Sequence, residues 1–248
     1  MINKEQLQKI AATSGLGLYQ QEKDYLLKLF LYYYYKQFND AVFKGGTCLK
    51  YIYNLNRFSE DLDFNINNQK LFQEQIKQTL KHFEKIGISY YFIKEESFKD
   101  AYTCEIGFHG PLYDGTNQTQ NKFRIDAGYR TGTLKKPEWK LIKSEYPEIE
   151  DNFLIQIMNQ QEIFAEKITA LFGRKKGRDL FDVWFLINAG LLLDKKLLKN
   201  KLSNQKVKIN FKNIAQKKEY ERDMSRLSTR VIPYEQIIKE IKKMVKEI

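Results

Sequence analysis

Two cysteines and two histidines are all that this 248-residue chain carries of the thiol and imidazole metal ligands. Cys48 and Cys104 cannot make a disulfide framework, and two histidines cannot build a zinc site, so a reducing cytoplasm is the expected compartment. Prolines number only four, and no low-complexity linker or internal repeat occurs, so compact structure is expected throughout. No apolar run approaches the length of a membrane span, and the opening Met1-Ile-Asn-Lys-Glu-Gln lacks the basic-then-apolar layout of a signal peptide. No membrane partner is expected. Aromatic residues, by contrast, are plentiful: 16 Tyr and 17 Phe are more than a disordered chain would hold. With 42% hydrophobic and 29% charged residues, the composition is that of an ordinary globular protein of one large or two small domains.

The net charge of +11 is unevenly spread. Residues 195–248 hold 16 Lys and Arg against 6 Asp and Glu, whereas residues 1–194 are close to balanced. A near-neutral body with a basic C-terminal segment suits a polyanionic partner, although a Lys-rich solubilising surface has the same composition.

Chemistry concentrates between residues 43 and 64. Gly45-Gly46-Thr47 precedes an amphipathic segment, and Asp61-Leu-Asp63-Phe follows it. Either half alone is ordinary, as a loop-to-helix junction or a solvated strand edge. Together they say more. In a strand, residues two apart point to one side, so Asp61 and Asp63 project together, and their repulsion calls for a hard divalent cation such as Mg²⁺. Glycines allow a tight turn, and the N–H groups opening the next helix can hold a phosphate. A phosphate cradle beside a carboxylate pair points to metal-assisted phosphoryl or nucleotidyl transfer.

Helices are expected at residues 4–12, 22–38, 47–54 and 69–86, with strands at 61–66, 88–94, 101–109 and 122–129. The four tyrosines at 32–35 suit core and half-exposed helix surface better than a base-stacking platform. Asp126, alternating within the last strand, is the candidate third carboxylate of a two-metal site. From about residue 160 the pattern is helical: 161–172 and 178–189 around a 173–177 turn, then 194–201, 216–227 and 233–247. Asp179 and Asp182 share one face of an apolar helix, with Lys167, Arg174 and Arg178 at helical spacing nearby. An internal salt-bridge cluster and a clamp on a triphosphate are both open. Lys167 and Asp179 are expected to be functional and Asp182 structural.

The chain resembles the AbiEii/AbiGii-type toxin family of nucleotidyltransferases, which includes the MenT-like toxins. The residues that carry it are Phe-Lys-Gly-Gly-Thr-x-Leu at 43–49, Arg-x-Ser-x-Asp-Leu-Asp-Phe at 57–64, Glu-Lys-Ile-x-Ala at 166–170 and Arg-x-Lys-x-Arg-Asp-x-x-Asp at 174–182. Tyr-Glu-Arg-Asp-Met at 220–224 and Pro233-Tyr234 add weaker support. The resemblance implies an α+β fold: a polymerase-β-like nucleotidyltransferase core, a small mixed sheet flanked by helices, in residues 1–158, and a helical basic domain in 159–248. It implies that Asp61, Asp63 and Asp126 bind Mg²⁺, two ions during turnover, with Asp126 also helping to deprotonate the attacking hydroxyl. Gly46 and Thr47 would hold nucleotide phosphate, Ser59 would lie beside the metal site, Lys167 would meet the triphosphate, and Asp179 would support it. Gly45, Arg57, Arg174 and Arg178 complete the expected nucleotide-binding set. The implied function is that of the toxin of a bacterial toxin–antitoxin pair, moving NMP from an NTP to the 3′ end of tRNA and blocking translation. An antitoxin is the expected protein partner. Transfer to a protein or small-molecule hydroxyl, and non-catalytic binding of RNA or antitoxin, are the competing readings.

Overall fold

The computed structural model of the chain describes residues 1–128, 133–150, 152–228 and 230–247. In chain order it runs α1 (Lys4–Ser14), α2 (Leu18–Gln37), β1 (Val42–Lys44), α3 (Gly45–Tyr53), β2 (Asp61–Asn65), α4 (Gln69–Lys85), β3 (Ser89–Phe98), β4 (Ala101–His109), β5 (Asn121–Gly128), β6 (Glu138–Lys143) and β7 (Asn152–Ile157). Helices α5 (Gln160–Gly173), α6 (Gly177–Asn188), α7 (Lys195–Asn204), α8 (Lys217–Leu227) and α9 (Tyr234–Lys246) complete it. The α+β architecture expected from the sequence is the one adopted. Among the described residues no helix is long and apolar enough to cross a membrane.

Two compact units divide the chain. The first comprises Met1–Cys48, Glu60–Gly132 and Glu138–Ile157, and the second Leu49–Ser59, Thr133–Pro137 and Met158–Ile248. The first unit is a seven-stranded sheet in the order β3-β4-β5-β2-β1-β7-β6. The pairs β2–β5 and β1–β7 are parallel, and the rest are antiparallel. Period-2 alternation sends Leu62, Phe64, Phe123 and Ile125 to one face, where all four are buried. Helices α2 and α4 cover that face. Helix α4, capped by Asn68 on Leu71 N–H, inserts Phe72, Ile76, Leu80 and Phe83 at helical spacing. The ring of Phe64 packs on Tyr34 and Phe72, and Phe30 on Phe123. The tyrosine run is therefore core: Tyr32 and Tyr34 are buried, and Tyr34 donates to Gln75 Oε1 at 2.8 Å.

In the second unit α6 is buried by Leu180, Phe181, Val183 and Leu186. Its N-terminus lies so close to α8 that a Cβ on Gly177 would stand 2.6 Å from Tyr220 Cα. Asp223 Oδ2 accepts the Gly177 N–H at 2.9 Å. The Tyr-Glu-Arg-Asp-Met run thus earns its pattern by seating one helix end. Segment 133–137 is held by Glu162, whose carboxylate accepts the N–H groups of Leu134 and Lys135. Fully buried Lys201 neutralises Glu162 at 2.6 Å.

Candidate active site

Along β2, Leu62 and Phe64 are buried while Asp61 and Asp63 turn to the other face, half-exposed. Parallel β5 lies beside it with Asp61 opposite Arg124 and Asp63 opposite Asp126. Residues opposed in register point to the same side, so the three aspartates share one face of two adjacent strands, with Arg124 among them. On the other flank, antiparallel β1 sets Lys44 across from Asp63. Arg124 Nε donates to Thr103 Oγ1 and Asp126 Oδ1, both at 3.0 Å, and its Nη2 reaches Asp126 Oδ1 at 2.8 Å. Nothing in the motifs marks Arg124. Its only sequence signal is a cation two residues before a carboxylate in an alternating strand.

Gly45 opens α3 with φ +79°, and a Cβ there would lie 1.9 Å from Asp63 Oδ2. The carboxylate of Asp63 therefore rests against bare glycine backbone, which no other residue could offer. Thr47 is fully buried, and its hydroxyl donates to the Asp61 carbonyl at 2.5 Å. The Thr47 hydroxyl thus ties the first turn of α3 to the start of β2. Any phosphate contact at Gly45-Gly46-Thr47 falls to backbone N–H groups, since the first turn of a helix leaves its N–H groups without intrahelical acceptors.

Among the described residues no group of three or more His, Cys, Asp or Glu forms a ready-made metal cage. The groups that do share a face are carboxylates, crowded enough that a guanidinium sits with them. Hard oxygen donors in excess negative charge fit a hard divalent cation rather than zinc.

In the second unit, Asp182 on α6 is fully buried and is the hub of a separate cluster. It accepts Arg57 Nε at 2.6 Å and Arg57 Nη2 at 2.8 Å, and pairs with Lys167 Nζ of α5 at 2.6 Å. Burial pushes its pKa up, but Arg57 and Lys167 outweigh burial and hold the carboxyl well below the usual carboxylate range. Arg57 gives its remaining Nη1 to the Phe58 carbonyl, and the Phe58 N–H bonds Leu227 O, which anchors the 49–59 segment. Lys167 pairs with Asp182 and not with Asp179. Asp179, also fully buried, instead takes the fork of Arg174, at 2.7 and 2.9 Å. The Arg57 side chain, placed on nucleotide by the sequence reading, is only 2% exposed and is spent on Asp182. Arg178 is half-buried and, among the described residues, makes no ion pair. Ser59 is half-buried, two residues ahead of Asp61 in the chain.

No curated protein matches the chain. Among solved structures, MenT4, a nucleotidyltransferase toxin from Mycobacterium tuberculosis H37Rv, is similar with a TM-score of 0.67, at 14% identity over 98% of this chain and 88% of that one. JHP933 from Helicobacter pylori gives 0.60 at 20% identity, over 93% and 92% of the two chains. A putative nucleotidyltransferase from H. pylori gives 0.60 at 20% identity over 93% and 95%. At these identities the likeness speaks to fold. The family described as nucleotidyl transferase AbiEii toxin, type IV toxin–antitoxin system, matches residues 30–247. With that match over nearly its whole length, the chain belongs to the AbiEii nucleotidyltransferase toxin family of type IV toxin–antitoxin systems.

Proposed function

We propose that this nucleotidyltransferase transfers NMP from an NTP to RNA, at the 3′ end of tRNA, with Mg²⁺ as its metal. Membership of the family brings an NTP substrate, a toxin role and an associated antitoxin. The observation that carries the finer reading is the shared face of Asp61, Asp63 and Asp126, with Gly45 packed bare against Asp63. Those three carboxylates would hold the metal, which when bound supplies Lewis acidity to the attacking hydroxyl and charge neutralisation to the departing pyrophosphate. Asp126 is the proton acceptor best placed in this scheme, because it belongs to the same face. Backbone N–H groups of Gly45, Gly46 and Thr47 receive phosphate, and Thr47 fixes their position through Asp61. Lys167 and Arg174 are assigned to the triphosphate. Asp182 and Asp179 orient these two side chains, and Arg57 is a positioning residue that acts through Asp182.

In this reading residues 1–158 form the transfer core and 159–248 the basic domain that holds the RNA backbone. A tRNA left unable to accept its amino acid stops translation in the cytoplasm. The test incubates the purified protein with total tRNA, Mg²⁺ and each α-labelled NTP in turn. We expect label on tRNA, lost without Mg²⁺ and lost in folded Asp61→Ala and Asp63→Ala variants. Full transfer by either variant overturns the metal assignment. Absence of label with every NTP moves the acceptor to a protein or small-molecule hydroxyl.

A further inference from the structure

Arg124 lies outside every motif, yet it is a cation built into the carboxylate face of β5. Standing two residues before Asp126, it shares that residue's side of the strand, and its register partner on β2 is Asp61. Its pose is fixed from two strands: Thr103 on β4 takes its Nε, and Asp126 Oδ1 takes both Nε and Nη2. Burial disfavours the guanidinium's charge, but the field of Asp126, Asp61 and Asp63 prevails and its pKa is raised. The Arg124 and Asp126 side chains are 53% and 37% exposed. A pair this open adds little to folding stability, so its consequence lies in the site.

We propose that Arg124 is an internal counter-ion of Asp126 that competes with the divalent cation for it, setting the cation affinity of the carboxylate face. The inference rests on reading Asp61, Asp63 and Asp126 as the metal-binding face. Two effects oppose the incoming ion. Asp126 Oδ1 already accepts a charge-assisted hydrogen bond from Nε and pairs with Nη2, and must surrender lone-pair capacity to become a ligand. The guanidinium's positive charge also repels a dication arriving at the same face. Without the guanidinium both oppositions at Asp126 are removed, and Lys44, across from Asp63, remains as a cation of the face.

The experiment is isothermal titration of the full-length protein with Mn²⁺, without nucleotide, on wild type, Arg124→Gln, Arg124→Lys and Asp63→Ala. At the dielectric of bulk water, removing a unit charge about 6 Å from a dication is worth roughly tenfold in affinity. Arg124→Gln should therefore bind Mn²⁺ about tenfold more tightly. Arg124→Lys keeps the charge but loses the fork, and should fall between wild type and Arg124→Gln. Asp63→Ala should lose the site. Equal or weaker affinity in a folded Arg124→Gln, with binding in wild type that Asp63→Ala removes, overturns the role of Arg124 and leaves the metal face standing. Wild type without an Asp63-dependent Mn²⁺ site overturns both.

Discussion

Gly45 carries two constraints at once, a left-handed backbone and contact with the Asp63 carboxylate. Alanine there meets the backbone cost of about 1–2 kcal/mol, and its methyl must push Asp63 aside. Misplacing a reacting group by about 1 Å costs on the order of 100-fold. Gly45→Ala is therefore expected to lower kcat at least that far, while circular dichroism still reports the native fold. A variant within a few-fold of wild type would show that the position of Asp63 is not critical. The pairing of Asp61 with Asp63 was legible because period 2 is local. The neighbours they acquire were harder to read, because β2 and β5 pair across some sixty residues and register is not written in either segment alone. The tie made by Thr47 was unreadable for a related reason: nothing in the sequence announces that the Asp61 carbonyl will take its hydroxyl.

Elements with a strong single periodicity were readable. Helix α4 alternates buried Phe72, Ile76, Leu80 and Phe83 with polar residues, and α9 buries Ile237 and Ile241. Strands β1, β6 and β7 escaped. β1 is only three residues long, too short for any alternation to show. In β6 and β7, Trp139, Leu141 and Leu154 are exposed, so apolar residues stand on both faces and the pattern blurs. The α5–α6 cluster was legible in composition but not in pairing, since i,i+3 spacing puts Asp179 and Asp182 on one face without saying which cation takes which. The role of Asp182 at this scale gives a sharp expectation. Asp182→Asn leaves Arg57 and Lys167 buried without their counter-charge and should cost about 3–5 kcal/mol in urea unfolding at pH 7. Because the folded carboxyl's pKa is depressed, its stabilisation is complete above the unfolded value near about pH 4 and is lost as pH falls through the folded value. The gap between wild type and variant should thus be flat at neutral pH and narrow below about pH 4. A gap that is small at pH 7, or that does not close in acid, would show that the cluster contributes little to stability.

Across the whole molecule, charge was the most direct signal and the least specific. The excess of basic residues in 195–248 is visible in a count, but only the structure says which of them face water. Lys201 does not: it is fully buried against Glu162 and Glu166, and contributes nothing to a surface field. On α9, Lys239, Lys243 and Lys246 are exposed on a helix whose packing depends on Ile237 and Ile241, so they can be changed without touching its buried face. If this segment grips RNA through phosphate, each lysine in contact releases about one counterion on binding, and affinity falls with salt by a power near 0.9 per contact. Replacing all three with glutamine should therefore raise KM for tRNA, leave kcat at saturating tRNA unchanged, and flatten the slope of log affinity against log salt by about 2–3. Asp61→Ala should show the reverse, losing kcat with the salt slope intact, so the two variants separate grip from chemistry. A triple variant with an unchanged slope would move the RNA-binding surface off α9.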